Sequence, residues 1–278
     1  MAGIIWLASY PKSGNTWLRA FLHNFLQAPE RSYDINRLTE LTRGESQTHL
    51  YRALDPDFDQ HYSDARVREL RPLVHRAFTQ TSPDNVLVKT HNALVADDGH
   101  PLISLDLTAG AIYVVRDPLD VAISFSHHNR TTVDNIIEFM NTSSAATKNN
   151  EKNVYEFYDT WSGHVASWTA TPNPTLHVMR YEDMLANPQK AFSAVVKFLG
   201  IDAPRQRIEK AVRLSSFTVL KEQERRQGFR ERPSRMEAFF REGKAGQWKK
   251  VLTKEQVAAI VAAHREQMAR FGYVPAGM

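Results

Sequence analysis

The chain has 278 residues, 42% of them hydrophobic and 24% charged, with a formal net charge of +4 and no cysteine. That size and balance suit a globular protein with a substantial core, and the missing thiols exclude disulfides, thiol catalysis and cysteine-ligated zinc. The mild positive charge favours anionic ligands without demanding a nucleic-acid surface, and no apolar run approaches the ~18 residues of a membrane span.

With a strand beginning by residue 4 and no basic leader before it, the expectation is a soluble, cytoplasmic protein. Ile4 to Ser9 reads as that strand. Pro11, Gly14 and Asn15 break it, and Trp17-Leu18, Phe21-Leu22 and Phe25-Leu26 then repeat at helical spacing. A strand that turns into a helix N-terminus directs unpaired backbone N–H groups into one small space, where an anion is favoured. Lys12 adds a charge there, and Ser13 and Thr16 add hydroxyls. The nucleotide-triphosphate loop needs Gly, four residues, then Gly-Lys-Ser/Thr. Here the lysine precedes the glycine, so a different phosphate ligand is expected.

Residues 28–85 read as polar and broken, with turns at Asp55-Pro56-Asp57 and Ser82-Pro83-Asp84-Asn85. Within them, 66–79 has apolar residues at helical spacing, interrupted by Pro72. Residues 85–91 read as a short buried strand with a polar tip at His91, and 111–118 repeats that design up to Arg116-Asp117-Pro118. A helix is predicted over 120–128, a mobile polar loop over 141–153 and an aromatic-rich helix over 155–168. A strand over 175–181 and a helix over 191–199, closed by Gly200, follow. Residues 214–228 begin helically, 225–250 hold few apolar residues, and 253–271 end the chain as an amphipathic helix.

Strands alternating with helices predict an α/β fold: a single domain over 1–278, with a central, mostly parallel sheet flanked by helices and a P-loop-like strand-loop-helix at the N-terminus. Ligands of such sheets sit at the C-terminal strand ends. That rule places Lys12, His91, Arg116 and Tyr181 along one edge. Residues 9–17 could cradle one phosphate, and Arg116, with Ser124 eight residues on, could hold a second. The glycine-punctuated basic loop 241–249 could close over the same ligand. Lys89 and His91, two apart, share a strand face. Taken alone, Trp17 reads equally as core, whereas His91 reads first as a structural histidine, Tyr181 as packing, and Arg241 with Gly243 as part of a solvated charged face. His127 and His128 read as a partly exposed helix pair.

In order along the chain, these pieces resemble the sulfotransferases that use 3′-phosphoadenosine 5′-phosphosulfate (PAPS). The family's loop Tyr-Pro-Lys-Ser-Gly-Thr-Thr-Trp corresponds to 10–17, with Asn15 for one threonine. Its Lys-Thr-His corresponds to Lys89-Thr90-His91, its arginine and serine pair to Arg116 and Ser124, its Tyr-Glu-Asp-Met to 181–184, its Ser-Phe to Ser216-Phe217, and its late Arg-Lys-Gly loop to 241–249. The resemblance implies that Pro11, Lys12, Ser13, Gly14, Asn15, Thr16, Trp17, Arg116, Ser124, Tyr181, Ser216, Phe217, Arg241 and Gly243 bind PAPS or its product PAP. It also implies catalysis by Lys12, His91 and Lys89 without a metal, with Lys12 stabilising the leaving phosphate and His91 as general base. Two departures stand out: Glu242 replaces a lysine and Gln247 an aspartate. A carboxylate beside a phosphate would repel it, so Glu242 is expected to turn away or to pair with a base such as Lys244.

The implied acceptor is a small molecule with a hydroxyl or amine, met by 28–80, 127–160 and 225–240. Neither its identity nor the oligomeric state has a readable code, and no nucleic-acid partner is expected. Trp6-Leu7-Ala8-Ser9 and Asn15 resemble the bacterial branch of the family, which acts on natural products. Two rivals remain on the residues alone. One is a P-loop kinase or NTPase with Asp117 toward magnesium, and the other is a non-catalytic binder of adenosine bisphosphate or RNA.

Overall fold

The computed structural model describes residues 2–58, 63–233 and 236–278; the parts of the expected acceptor region at 59–62 and 234–235 lie outside the described residues. In chain order the first elements are β1 (Ile4–Ser9), α1 (Asn15–Gln27), β2 (Thr42–Gly44), α2 (Thr48–Leu54), α3 (Asp64–Thr79) and β3 (Val86–Thr90). A two-residue hairpin of β4 (Ala96–Asp97) and β5 (His100–Pro101) leads to β6 (Thr108–Val115), α4 (Pro118–Asn129), α5 (Val133–Asn141), α6 (Trp161–Thr169) and β7 (Leu176–Arg180). Then come α7 (Tyr181–Ala186), α8 (Pro188–Phe198), α9 (Arg205–Leu214), α10 (Phe217–Gln227), α11 (Trp248–Val251) and α12 (Lys254–Arg270). The central sheet has five strands in the order β2-β3-β1-β6-β7. β3 runs parallel to β1, from Ile4 opposite Val86 to Ala8 opposite Thr90, and parallel to β2 on its other side. The expected α/β fold with a central parallel sheet flanked by helices is the fold observed.

By packing, the chain forms two compact units. The first comprises Met1–Tyr10, Thr42–Tyr113 and Phe139–Val178. Its core sets Ile4, Trp6 and Leu7 of β1 with Val67, Leu70 and Val74 of α3, all buried. The Trp6 indole N–H donates to Thr108 Oγ1 at 2.8 Å, and its ring meets His75 edge-on at 4.9 Å. Beneath β3 lies a fully buried ion pair, Arg71 Nη1 to Glu45 Oε2 at 2.9 Å. The second unit comprises Pro11–Leu41, Val114–Glu138 and Met179–Met278. There α1 packs on α9 through its apolar face, and Phe21 stacks on Phe192 at 4.1 Å. Ala20, Ile35, Leu38, Leu220, Phe229 and Phe240 form a further cluster, with Trp17, Phe217 and Phe239 packed against it.

Four expectations shift. Pro72 does not interrupt α3, because buried Val67, Leu70, Val74 and Phe78 fix the helix on both sides of it. The aromatic helix begins at Trp161 rather than at 155, where Thr160 caps it by accepting from the Gly163 N–H. Residues 155–160 form no helix: Phe157 bridges Ala146 antiparallel, the Thr147 N–H donates to the Glu156 carbonyl, and Asp159 turns the chain at φ 57°. The polar stretch 141–153, expected as a mobile loop, bonds to distant segments, with Asn149 donating to Asp64 at 2.8 Å and Asn153 bridging Gln47. β2 is a strand of Thr-Arg-Gly, which no apolar run announces.

Glu45 accepts from Arg71, Thr90 and Asn92. Glu45→Ala therefore strands a buried guanidinium and is expected to cost about 3–5 kcal/mol in urea unfolding. Removing the exposed Arg225, which pairs with its helix neighbour Glu222, is expected to leave the unfolding midpoint close to the parent's.

Candidate active site

In the second unit, the turn between β1 and α1 is shaped by backbone that few residues adopt. Lys12 has φ 68° and Gly14 φ 111°. A Cβ on Gly14 would lie 2.7 Å from the Tyr181 ring, so glycine is required on two counts. No side chain caps α1 and its first turn holds no acidic residue, which leaves the helix N-terminus suited to an anion. Ser13 Oγ, Trp17 Nε1 and Arg116 Nε are buried and make no hydrogen bond among the described residues. Pro11 is buried and Thr16 half-buried beside them.

The Lys12 ammonium lies 3.2 Å from His128 Nδ1 and 4.1 Å from the centre of the Phe239 ring. Among the described residues no carboxylate pairs with it. Burial, and then the Arg116 charge, push its pKa down to about 7 against the opposing pull of Glu224.

Arg116, directly after β6, donates to the Lys12 carbonyl at 2.9 Å and to the Lys244 carbonyl at 3.4 Å, and its guanidinium lies 4.3 Å over the Tyr181 ring. Trp17 meets Tyr181 and Phe192 edge-on at 6.0 and 5.7 Å. The late loop is pinned by Asp120, whose oxygens accept from Gly246 N–H at 2.6 Å and Trp248 N–H at 3.0 Å. Gly243, at φ 62°, has no room for a Cβ against the Phe217 ring. Arg241 donates to Gln247 Oε1 at 3.3 Å. Glu242 pairs with Lys244 at 3.7 Å, as its charge required.

Lys12, Ser13, Gly14, Trp17, Arg116 and Tyr181 thus form one contiguous cradle, with Lys244 of the late loop attached. Phe217 and Gly243 pack on each other. Ser124 sits half-buried on α4 without a hydrogen bond among the described residues, and Ser216 precedes α10 without capping it by its side chain. Asp117 is the N-cap of α4, accepting from Leu119 N–H, and burial raises its pKa to about 7. A carboxylate so engaged is poorly suited to the magnesium role the kinase rival needs.

In the first unit, His91 follows β3 directly. Its Nδ1 lies 2.7 Å from the Ser9 carbonyl. A carbonyl can only accept, so Nδ1 carries the proton and Nε2 the lone pair. Burial, then the Lys89 charge, push its pKa down to about 3, with Glu156 opposing. Lys89 Nζ donates to Glu156 at 3.3 Å, and Ser46 and Tyr158 hydroxyls donate to the same carboxylate at 2.9 Å each. Although burial opposes ionisation, Lys89, His91 and these hydroxyls hold Glu156 at about 2. Thr90 and Asn92, on either side of His91, both bond Glu45, and His164 Nε2 donates to the His91 carbonyl at 3.0 Å. The chemistry available here is that of a neutral, oriented imidazole backed by an ionised carboxylate. Glu156, Glu45, Asp120 and His128 are functional neighbours that no spacing in the sequence marks.

The sulfotransferase domain model matches residues 3–272. The chain is 26% identical to Cytosolic sulfotransferase 17 of Arabidopsis thaliana, over 96% of this chain and 75% of that protein. It is 24% identical to Sulfotransferase 1A1 of Bos taurus, over 95% and 82%. Among solved structures, mouse sulfotransferase SULT7A1 complexed with PAP superposes with a TM-score of 0.64 at 20% identity, covering 98% of this chain and 90% of that one. Retinol dehydratase in a complex with retinol and PAP does so at 0.67 and 19%, covering 96% and 82%. These relatives are plant and animal proteins, and they lend the bacterial resemblance of residues 6–9 and Asn15 no support.

The unfolded chain takes up the His91 proton near the ordinary 6.5 and the folded chain only near 3. The stability owed to the neutral ring is therefore complete above 6.5 and lost as pH falls toward 3. Imidazole nitrogen NMR at pH 5 is expected to show His91 neutral with its proton on Nδ1; an imidazolium signal at that pH would contradict the assignment.

Proposed function

The chain belongs to the sulfotransferase domain family, and we propose that it transfers a sulfuryl group from PAPS to a hydroxyl or amine of a small-molecule acceptor. The observation that carries this reading is the Lys12 ammonium, which lacks a carboxylate partner among the described residues and stands beside an uncapped helix N-terminus. Buried, unpartnered donors on Ser13, Trp17 and Arg116 fit the same anionic ligand. When bound, PAPS supplies a sulfuryl group already joined to a phosphate leaving group.

The roles are those that the family resemblance implies for each residue. Backbone N–H groups and hydroxyls of 13–16 hold the 5′ phosphosulfate after Pro11 ends the strand. Arg116, Ser124, Arg241 and Gly243 serve the 3′-phosphate, and Trp17, Tyr181, Ser216 and Phe217 the adenosine. His91 takes the acceptor's proton at Nε2 while the acceptor atom bonds sulfur. The electron pair of the broken sulfur–oxygen bond stays on the phosphate, where Lys12 meets the growing charge. Lys89 binds Glu156, and that carboxylate favours the imidazolium His91 becomes. Little covalent work falls to the protein, so positioning and charge neutralisation dominate. We read residues 1–278 as one functional domain, because the family match spans 3–272 without a break. The names of the Arabidopsis relatives support a cytoplasmic location. Among the described residues no helix is long and apolar enough to cross a membrane.

A screen of phenols, alcohols, sugars and lipids with labelled PAPS supplies an acceptor for the decisive variants. Lys12→Met and His91→Gln are each expected to lower turnover by about 10²–10⁴-fold, with circular dichroism unchanged and transfer persisting in chelator. Near-full turnover in both variants, or magnesium-dependent consumption of ATP in place of sulfation, would overturn the reading.

A further inference from the structure

His128 enters no part of the scheme above, yet it is the hydrogen-bonding partner of the residue most central to it. It lies in the last turn of α4, its Nδ1 3.2 Å from Lys12 Nζ. An ammonium has donors and no lone pair, so Nδ1 must accept, and the proton of the neutral ring belongs on Nε2. The ring is itself held: Phe125 lies 6.4 Å away and Phe239 6.1 Å away, nearly perpendicular. Phe239, which forms the other wall of the ammonium's surroundings, is fixed by its backbone. Glu224 accepts from the N–H groups of Phe239 at 2.8 Å and Phe240 at 2.9 Å. An aromatic face attracts a cation but leaves its direction loose. The lone pair of His128 is therefore the directional contact on Lys12.

We infer that His128 is a positioning residue for sulfuryl transfer, its Nδ1 holding the Lys12 ammonium in the orientation that serves the leaving phosphate. The inference rests on the reading of Lys12 given above. Its effect on the reaction runs through Lys12, so its loss alters the chemical step rather than the capture of PAPS.

Three single variants and one double test it with PAPS and the acceptor found by the screen: His128→Phe, which keeps a ring against Phe239 but has no acceptor, His128→Asn, which restores an acceptor, Lys12→Met, and His128→Phe combined with Lys12→Met. His128→Phe is expected to lower kcat by about tenfold, the order of one hydrogen bond to a charged group, with the PAPS KM within about twofold. His128→Asn is expected to recover kcat to within about threefold of the parent, and His128→Phe is expected to add nothing further to Lys12→Met. A normal kcat in His128→Phe, a loss confined to KM, equal losses in the Phe and Asn variants, or a full additional loss in the double variant would each overturn the inference. Undiminished turnover by Lys12→Met would instead overturn the reading of Lys12, which keeps the two failures distinct.

Discussion

An ammonium group largely withdrawn from water, with no carboxylate paired to it among the described residues, is unstable as a resting charge, and Lys12 is such a group. Lys12 is carried on backbone at φ 68°, a conformation an L-residue adopts reluctantly. Arg116 holds its carbonyl, His128 and Phe239 bound its side chain, and Gly14 beside it cannot tolerate a Cβ because Tyr181 occupies the space. Each of these contacts fixes where the charge stands and none neutralises it. Such a group either gives up its proton, and burial beside Arg116 already lowers its pKa to about 7, or gains from an anion placed against it.

The first unit solves a complementary problem. As the general base proposed above, His91 must be neutral and aimed, and the Ser9 carbonyl settles which of its nitrogens holds the proton. Burial beside Lys89 keeps the ring uncharged, while Glu156 stands ready to offset the charge that proton transfer creates. The buried Glu45–Arg71 pair ties Thr90 and Asn92 in place on either side of the ring. Breaking that pair would disturb the base without touching it.

Much of this was legible in the sequence where the signal is local. The strand, turn and helix of residues 4–27 declare themselves by an apolar run, turn breakers and a helical period. The same logic put Lys12, His91, Arg116 and Tyr181 at the C-terminal ends of strands, and Lys12 stands in the turn after β1 while His91, Arg116 and Tyr181 directly follow β3, β6 and β7. β2 was not legible because three residues without an apolar pattern join the sheet only by pairing with β3. The start of α6 was misread because the aromatics of 155–160 serve a strand-like bridge and not a helix face. The sequence placed His128 and Glu156 within the expected acceptor region 127–160, but their contacts, and those of Asp120, were invisible for one reason: the partners lie 116, 67 and 126 positions away. The resemblance to a family could name the donor, but these three contacts exist only once the chain is folded.

Calorimetry of PAP binding at pH 8, in two buffers of different ionisation enthalpy, addresses the unpaired ammonium most directly. Lys12 is depressed to about 7 in the free protein, so much of it is neutral at that pH, whereas the ligand's phosphates are already fully ionised. Bound phosphate favours the charged lysine, and the wild type is expected to take up part of a proton on binding, an uptake abolished in Lys12→Met. A binding enthalpy that does not depend on the buffer, or the same uptake in Lys12→Met, would contradict the account.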